Sequence, residues 1–75
     1  IIQMNNLNMA KIQLNGDPFE INIGSNLGEL LNKLKVEKNK VAIEVNGEIV
    51  HKDKYPNFIL NKDDKVEIVH FIGGG

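Results

Sequence analysis

Apolar and polar residues alternate along most of this chain, and one helical stretch interrupts the alternation. Ile12 and Leu14 alternate with Lys11 and Gln13, and Phe19, Ile21 and Ile23 alternate with Glu20 and Asn22. A period of two marks strands that bury one face. Between these runs Asn15-Gly16-Asp17-Pro18 is dense in turn residues, and Asn-Gly is the strongest two-residue hairpin signal. Residues 10–23 therefore read as an antiparallel hairpin, with the returning strand starting at Phe19. Gly24 breaks it. From there the period becomes helical: Leu27, Leu30, Leu31 and Leu34 share one face of an α-helix. Ser25 or Asn26 supplies the N-cap, and Asn26 has Glu29 at the spacing of a capping box. Gly28 costs this helix about 1 kcal/mol of propensity, which a close approach to the sheet accounts for.

Alternation then resumes. Residues 36–40 are a polar connection, and Val41, Ile43 and Val45 alternate with Ala42 and Glu44. Asn46-Gly47 is a second hairpin turn, after which Glu48-Ile49-Val50 begins the return. Residues 51–57 read as a loop, since Pro56 argues against a central strand. Phe58-Ile59-Leu60 is a short apolar segment and residues 61–64 are a turn. Lys65 to Ile72 is the last strand, rich in β-branched and aromatic residues, and Gly73, Gly74 and Gly75 follow it. The order predicts an α+β layer, a mixed sheet of four to five strands packed on one α-helix. If the last strand lies beside the first in the centre of the sheet, the fold is a β-grasp.

Composition narrows the function more than the fold. Seventy-five residues allow one small core. The net charge is −1 and every basic residue is Lys, so there is no polybasic footprint for nucleic acid and no basic amphipathic face for a membrane. Without Cys there is neither a disulfide framework nor a thiolate metal site. No apolar run reaches transmembrane length and no signal-peptide pattern is present, so a soluble, cytoplasmic domain is expected. Residues 1–8 are rich in Asn and read as a dispensable leader, foreign to the domain or from an upstream start, with Met9 a natural initiator. The alternative is a short edge strand, because Ile2 and Met4 alternate. The expected division is thus leader 1–8, domain 9–72 and glycine tail 73–75.

No enzymatic constellation stands out. His51 and His70 lack neighbours at metal-ligand spacing. Asp63-Asp64 reads as solvated turn carboxylates and Ser25 as a cap. Gly73-Gly74-Gly75 has no Lys, Ser or Thr of a phosphate loop and no helix after it. What a strand running into three glycines does offer is a carboxylate on a thin, pliable tether, because glycine has no Cβ and visits conformations closed to other residues.

The run Val41-Ala42-Ile43-Glu44-Val45-Asn46-Gly47-Glu48-Ile49-Val50, followed by Asp63-Asp64-Lys65-Val66-Glu67-Ile68-Val69-His70-Phe71-Ile72-Gly73-Gly74-Gly75, resembles the thiamine-biosynthesis sulfur carrier proteins, the ThiS family. The resemblance covers residues 9–75. It departs at the turn before the last strand, where Asp63-Asp64 stands for the family's frequent Gly-Asp. It implies a ubiquitin-like β-grasp protein that is a cosubstrate rather than an enzyme and binds no cofactor. An E1-like adenylating enzyme would use ATP to activate the Gly75 carboxylate. A persulfide donor would supply the sulfur of a thiocarboxylate, and thiazole synthase would receive it. Gly73, Gly74 and Gly75 would thread into the partner active sites.

Alternation also suggests where partners dock. If Val66 and Ile68 join Ile12, Leu14, Ile43 and Val45 in the core, then Glu67, Val69 and Phe71 point outward, with Ala42 and Glu44 on the same face. Val69 and Phe71 make an apolar patch and the two glutamates its rim. Three other readings share the terminus or the fold: a molybdopterin-synthase small subunit, a modifier joined to lysines through Gly75, and a noncovalent binding module. The first commonly approaches its diglycine through a Pro-containing segment, where this chain has His70-Phe71-Ile72.

Overall fold

The alternating stretches form five strands, β1 (Met9–Leu14), β2 (Asp17–Asn22), β3 (Val41–Val45), β4 (Glu48–Val50) and β5 (Lys65–His70), and the leucine stretch forms one helix, α1 (Leu27–Leu34). The computed structural model describes residues 8–72. Residues 1–7 of the expected leader and the tail glycines Gly73, Gly74 and Gly75 lie outside the described residues. The Asn8 carbonyl accepts a hydrogen bond from the Ile23 N–H at 2.9 Å, one rung beyond the β1–β2 ladder.

Both Asn-Gly pairs turn the chain in two residues. Asn15 and Gly16 have φ of 49° and 87°, and Asn46 and Gly47 have 54° and 87°. Positive φ at both centres is the signature of a type I′ turn, whose twist matches that of the strands it joins. So tight a turn sets the register, pairing Leu14 with Asp17 and Val45 with Glu48. The first returning strand consequently starts at Asp17, two residues before Phe19. Pro18 is accommodated because β2 is an edge strand, where an N–H facing solvent is not missed.

Asn26, rather than Ser25, is the N-cap of α1. Its side chain accepts from the Glu29 N–H at 2.8 Å, and the Glu29 carboxylate accepts from the Asn26 N–H at 2.9 Å. The Ser25 hydroxyl instead donates to the Asn22 carbonyl at 2.6 Å. Gly28 does not face the sheet, as its position had suggested. A Cβ there would meet the Asn26 Oδ1 at 3.2 Å and the Pro56 Cα at 4.0 Å, so its space is claimed by its own cap and by the segment after β4. That segment is not an open loop: Lys52–Asn57 winds into a 3-10 helix and delivers Tyr55 to the core.

The sheet runs β2-β1-β5-β3-β4, with β5 central, parallel to β1 and antiparallel to β3. This is the β-grasp order. One core lies between the sheet and α1: Ile12, Ile21, Val41, Ile43, Val45, Val66 and Ile68 from the strands meet Leu27, Leu30 and Leu31 from the helix, and Tyr55 and Leu60 join the same cluster. Leu14 is only half-buried, at the margin of that core. The last strand is shorter than its composition suggests and stops at His70, not Ile72. Its neighbour begins only at Val41, so the final rung is the bond from the Phe71 N–H to the Lys40 carbonyl at 2.9 Å. Ile72, beyond it, is 97% exposed.

Tyr55 provides a test of this packing. It is the only tyrosine and there is no tryptophan, so phenolate absorbance reports one group. Burial holds its phenol above the ordinary value of 10.0, because the charged form is poorly solvated there. Folding therefore favours the neutral phenol. That contribution to stability is complete below the unfolded pKa and is lost as pH rises through the higher folded one. A spectrophotometric titration is expected to show the native phenol ionising at higher pH than the same chain in denaturant, and coincident curves would contradict the burial.

Candidate functional site

The strand that leads to the glycines is fastened by the asparagines of the two hairpin turns. At its start, Asn46 donates its N–H to the Lys65 carbonyl at 2.7 Å, and its side-chain oxygen accepts from the Lys65 N–H at 2.9 Å. The same amide donates to the Asp64 Oδ1 at 3.0 Å, while the Asp64 Oδ2 accepts from the Asn61 N–H at 2.8 Å. Asp64 is thus more than a solvated carboxylate: it is half-buried and ties the turn of residues 61–64 to the second hairpin. On the opposite side, the Asn15 N–H donates to the Val66 carbonyl at 2.9 Å. The Asn15 side chain then takes both backbone groups of Ile68, accepting from its N–H at 2.8 Å and donating to its carbonyl at 3.3 Å. A side-chain amide carries one acceptor and one donor on the same end, as a peptide unit does. Asn15 thereby continues the β1 ladder by one step after the main chain has turned away.

Asn15→Gly isolates this contact, because glycine keeps the positive φ that the turn requires. The two lost hydrogen bonds are expected to cost about 1–2 kcal/mol in denaturant unfolding, with faster amide exchange at Ile68. An unchanged Ile68 amide would rule the clamp out.

The expected docking residues come together as the alternation implies. Across the β3–β5 ladder Ala42 faces Val69 and Glu44 faces Glu67, and residues directly opposite one another project to the same face. Phe71 follows in the same alternation. Val69 is 60% and Phe71 59% exposed, and Ala42 and Glu44 on the neighbouring strand are half-buried. The register adds a residue that alternation within single strands does not reveal: Ile49 of β4 pairs with Glu44, lies on this face and is 72% exposed. The signal for it was present in Asn46-Gly47, since a two-residue turn places the second residue of the return opposite the second-last of the approach.

Glu44 and Glu67 are like charges set directly across a ladder, an arrangement that costs stability. Among the described residues the ion pair is Lys40 with Glu37, at 3.9 Å on an exposed surface, so neither carboxylate of the sheet face has a cation at that range. His51 is exposed beside the 3-10 helix, and the His70 side chain is exposed at the end of β5. Among the described residues no three of His, Asp and Glu gather as a metal site, and no helix is long and apolar enough to cross a membrane. The arrangement is a clamped strand beside a face of apolar side chains with Glu44, Glu67 and Lys65 at its rim.

The model of the ThiS family matches residues 12–75. A thiazole synthase of Magnetococcus marinus is 45% identical over 65 residues, which are 87% of this chain and 20% of that protein. The chain thus spans about a fifth of the length of that relative, and the same holds for a thiazole synthase of Paramagnetospirillum magneticum, 43% identical. The sulfur carrier protein ThiS of Bacillus subtilis is 38% identical, covering 85% of this chain and 98% of its own. Among solved structures, the crystal structure of the thiamine biosynthesis protein (ThiS) from Geobacter metallireducens superimposes with a TM-score of 0.76 at 32% identity, over 87% of this chain and 99% of that one.

Proposed function

The chain belongs to the ThiS family, and from that premise we propose that it carries sulfur for thiamine biosynthesis on the carboxyl group of Gly75. The observation that carries this reading is the joining of two features: a central strand clamped from both sides up to Ile68, and a family match that runs through the three glycines. The protein is a cosubstrate. Its carboxylate attacks the α-phosphorus of ATP on an adenylating enzyme, pyrophosphate leaves, and the Gly75 carbonyl becomes electrophilic. The terminal sulfur of a persulfide adds to that carbonyl and AMP departs with the electron pair of the C–O bond. A thiol then cleaves the S–S bond, leaving a thiocarboxylate and a disulfide. The thiocarboxylate gives its sulfur to thiazole synthase, a link supported by the relatives of that name.

The tail suits this chemistry physically. A carboxylate is a poor electrophile, so its activation needs a site that encloses it and excludes water. Glycines let the chain enter a channel that side chains would block. Val69, Phe71 and Ile49 form the apolar part of the docking face, and Ala42, Glu44 and Glu67 complete it; a partner groove with apolar walls and a basic edge is complementary.

Intact mass spectrometry tests the reading. Incubation with the adenylating enzyme, ATP and a persulfide donor is expected to raise the mass by the difference between sulfur and oxygen. Transfer to thiazole synthase should then restore the original mass. An adenylating enzyme that is active on another carrier yet leaves this mass unchanged would overturn it.

A further inference from the structure

The central strand of this sheet is left half open on one side. β5 pairs with β3 from Val66 to His70, but with β1 only at Lys65 and Val66. The bond from the Phe71 N–H to Lys40 and the bonds between Asn46 and Lys65 show that the odd-numbered residues of β5 point their backbone groups at β3. In an antiparallel ladder these groups alternate, so the even-numbered residues point the other way. Val66 meets the Asn15 main chain there, and Ile68 meets the Asn15 side chain. His70 comes next. Its N–H and C=O face the space that β1 has vacated, and among the described residues nothing bonds them.

Natural sheets guard such edges with Lys, Pro, bulges or covering loops. The run Ile68-Val69-His70-Phe71-Ile72 carries neither Lys nor Pro, and the strand continues straight to His70. The position of the gap matters as much as its chemistry. Three residues separate Ile72 from the Gly75 carboxyl group, and three extended residues span at most about 10 Å. Any enzyme that encloses that carboxyl group must therefore bring protein against residues 70–72.

We propose that the adenylating enzyme docks an extended segment of its own chain along this open side of β5, adding a strand whose backbone bonds the N–H and C=O of His70. The inference rests on the functional reading above and supplies its geometry. The outer face engages the partner through side chains, whereas this edge engages it through the main chain, as in other strand additions. The added strand sets the direction in which the tail leaves the sheet, and Asn15 fixes where that strand starts by occupying the last step before it.

Amide exchange on the full-length protein tests this directly. In the free protein the amides of Val69 and Phe71, which face β3, are expected to be protected and that of His70 to exchange freely. In a saturated complex with the adenylating enzyme the His70 amide is expected to slow by at least about tenfold, the effect of one hydrogen bond. Two variants give a second measurement: His70→Pro removes the N–H and His70→Ala keeps it. The proline variant is expected to bind about tenfold more weakly than the alanine variant. If His70→Pro does not fold, the exchange measurement on the unaltered chain decides.

An unprotected His70 in a complex that still adenylates Gly75 overturns the strand addition alone, as does equal binding by the two variants. Protection only by thiazole synthase, or only on self-association, overturns the choice of occupant. A chain that the enzyme neither binds nor adenylates overturns the functional reading and this inference with it.

Discussion

Removing Gly75 is expected to leave the protein's mass unchanged after incubation with the adenylating enzyme, ATP and a persulfide, where the intact chain is expected to exchange one oxygen for sulfur. The shortened chain still ends in a glycine carboxylate, so its chemistry is intact and only its reach is altered. One extended residue is about 3.3–3.6 Å, and a misplacement of 1 Å at a reacting centre can cost about 100-fold in rate. The loss should therefore be complete on the timescale of the assay while docking through the sheet face persists. Gly75→Trp makes the complementary test, keeping the reach but placing a side chain where the channel must be narrow. The same pair of variants separates the rival functions. A modifier would lose conjugation to lysines, whereas a noncovalent binding module would keep its partner with either tail. Sulfur uptake by the shortened chain at the rate of the intact one would show that Gly75 is not the reacting residue.

Ile43→Ala is expected to cost about 3–4 kcal/mol, the largest stability loss of any single substitution considered. Ile43 is fully buried at the centre of the sheet, opposite Ile68 on one side and Val50 on the other. A domain of this size has roughly 4–11 kcal/mol in all, so the variant should unfold at much lower urea concentration. Sulfur uptake per folded molecule should survive, because the outer face and tail are untouched. Ile49→Asp, on the neighbouring strand but the opposite face, should behave in reverse. Ile49 is mostly exposed, so stability should move by no more than about 0.5 kcal/mol, while affinity for the adenylating enzyme falls about tenfold or more. If both variants lose stability and affinity together, the two faces of the sheet are not separate.

The parts of the fold written as local pattern were legible before any coordinates. Leu27, Leu30 and Leu31 lie in the core as their spacing implied, and the alternation of residues 65–69 placed Val66 and Ile68 inward with Glu67 and Val69 outward. The two Asn-Gly turns were legible as turns. What they do to β5 was not, because Asn15 and Ile68 are 53 residues apart and no local pattern encodes a contact at that separation. Tyr55 was hidden for a related reason: Pro56 correctly argued against a strand, but nothing nearby signals that Tyr55 is buried in the core. Gly28 was misread because an inner-edge glycine suggests the sheet, when the space it leaves is taken by a side chain two residues away and by Pro56. The end of β5 depended on where β3 begins, which the composition of β5 itself cannot state. In the candidate site, the shared face of the proposed docking residues followed from alternation and Ile49's place on it from hairpin register. The open edge at His70 needed the sheet order.

The twin Asn-Gly turns also bear on how the molecule ages. Asn followed by Gly is chemically fragile, because the next backbone nitrogen can attack the side-chain amide, expel ammonia and form a cyclic imide that hydrolyses to an aspartyl or isoaspartyl residue. At positions 15 and 46 the vulnerable amides are the ones that clasp β5. Hydrogen bonds on each amide oppose its rotation towards the following nitrogen, so damage is expected to run faster in molecules that have already loosened. Once formed, the carboxylate at position 15 can no longer donate to the Ile68 carbonyl, and the strand beneath the tail is released on one side. Old protein would then be distinguishable from new by the play in its last strand before any loss of overall fold.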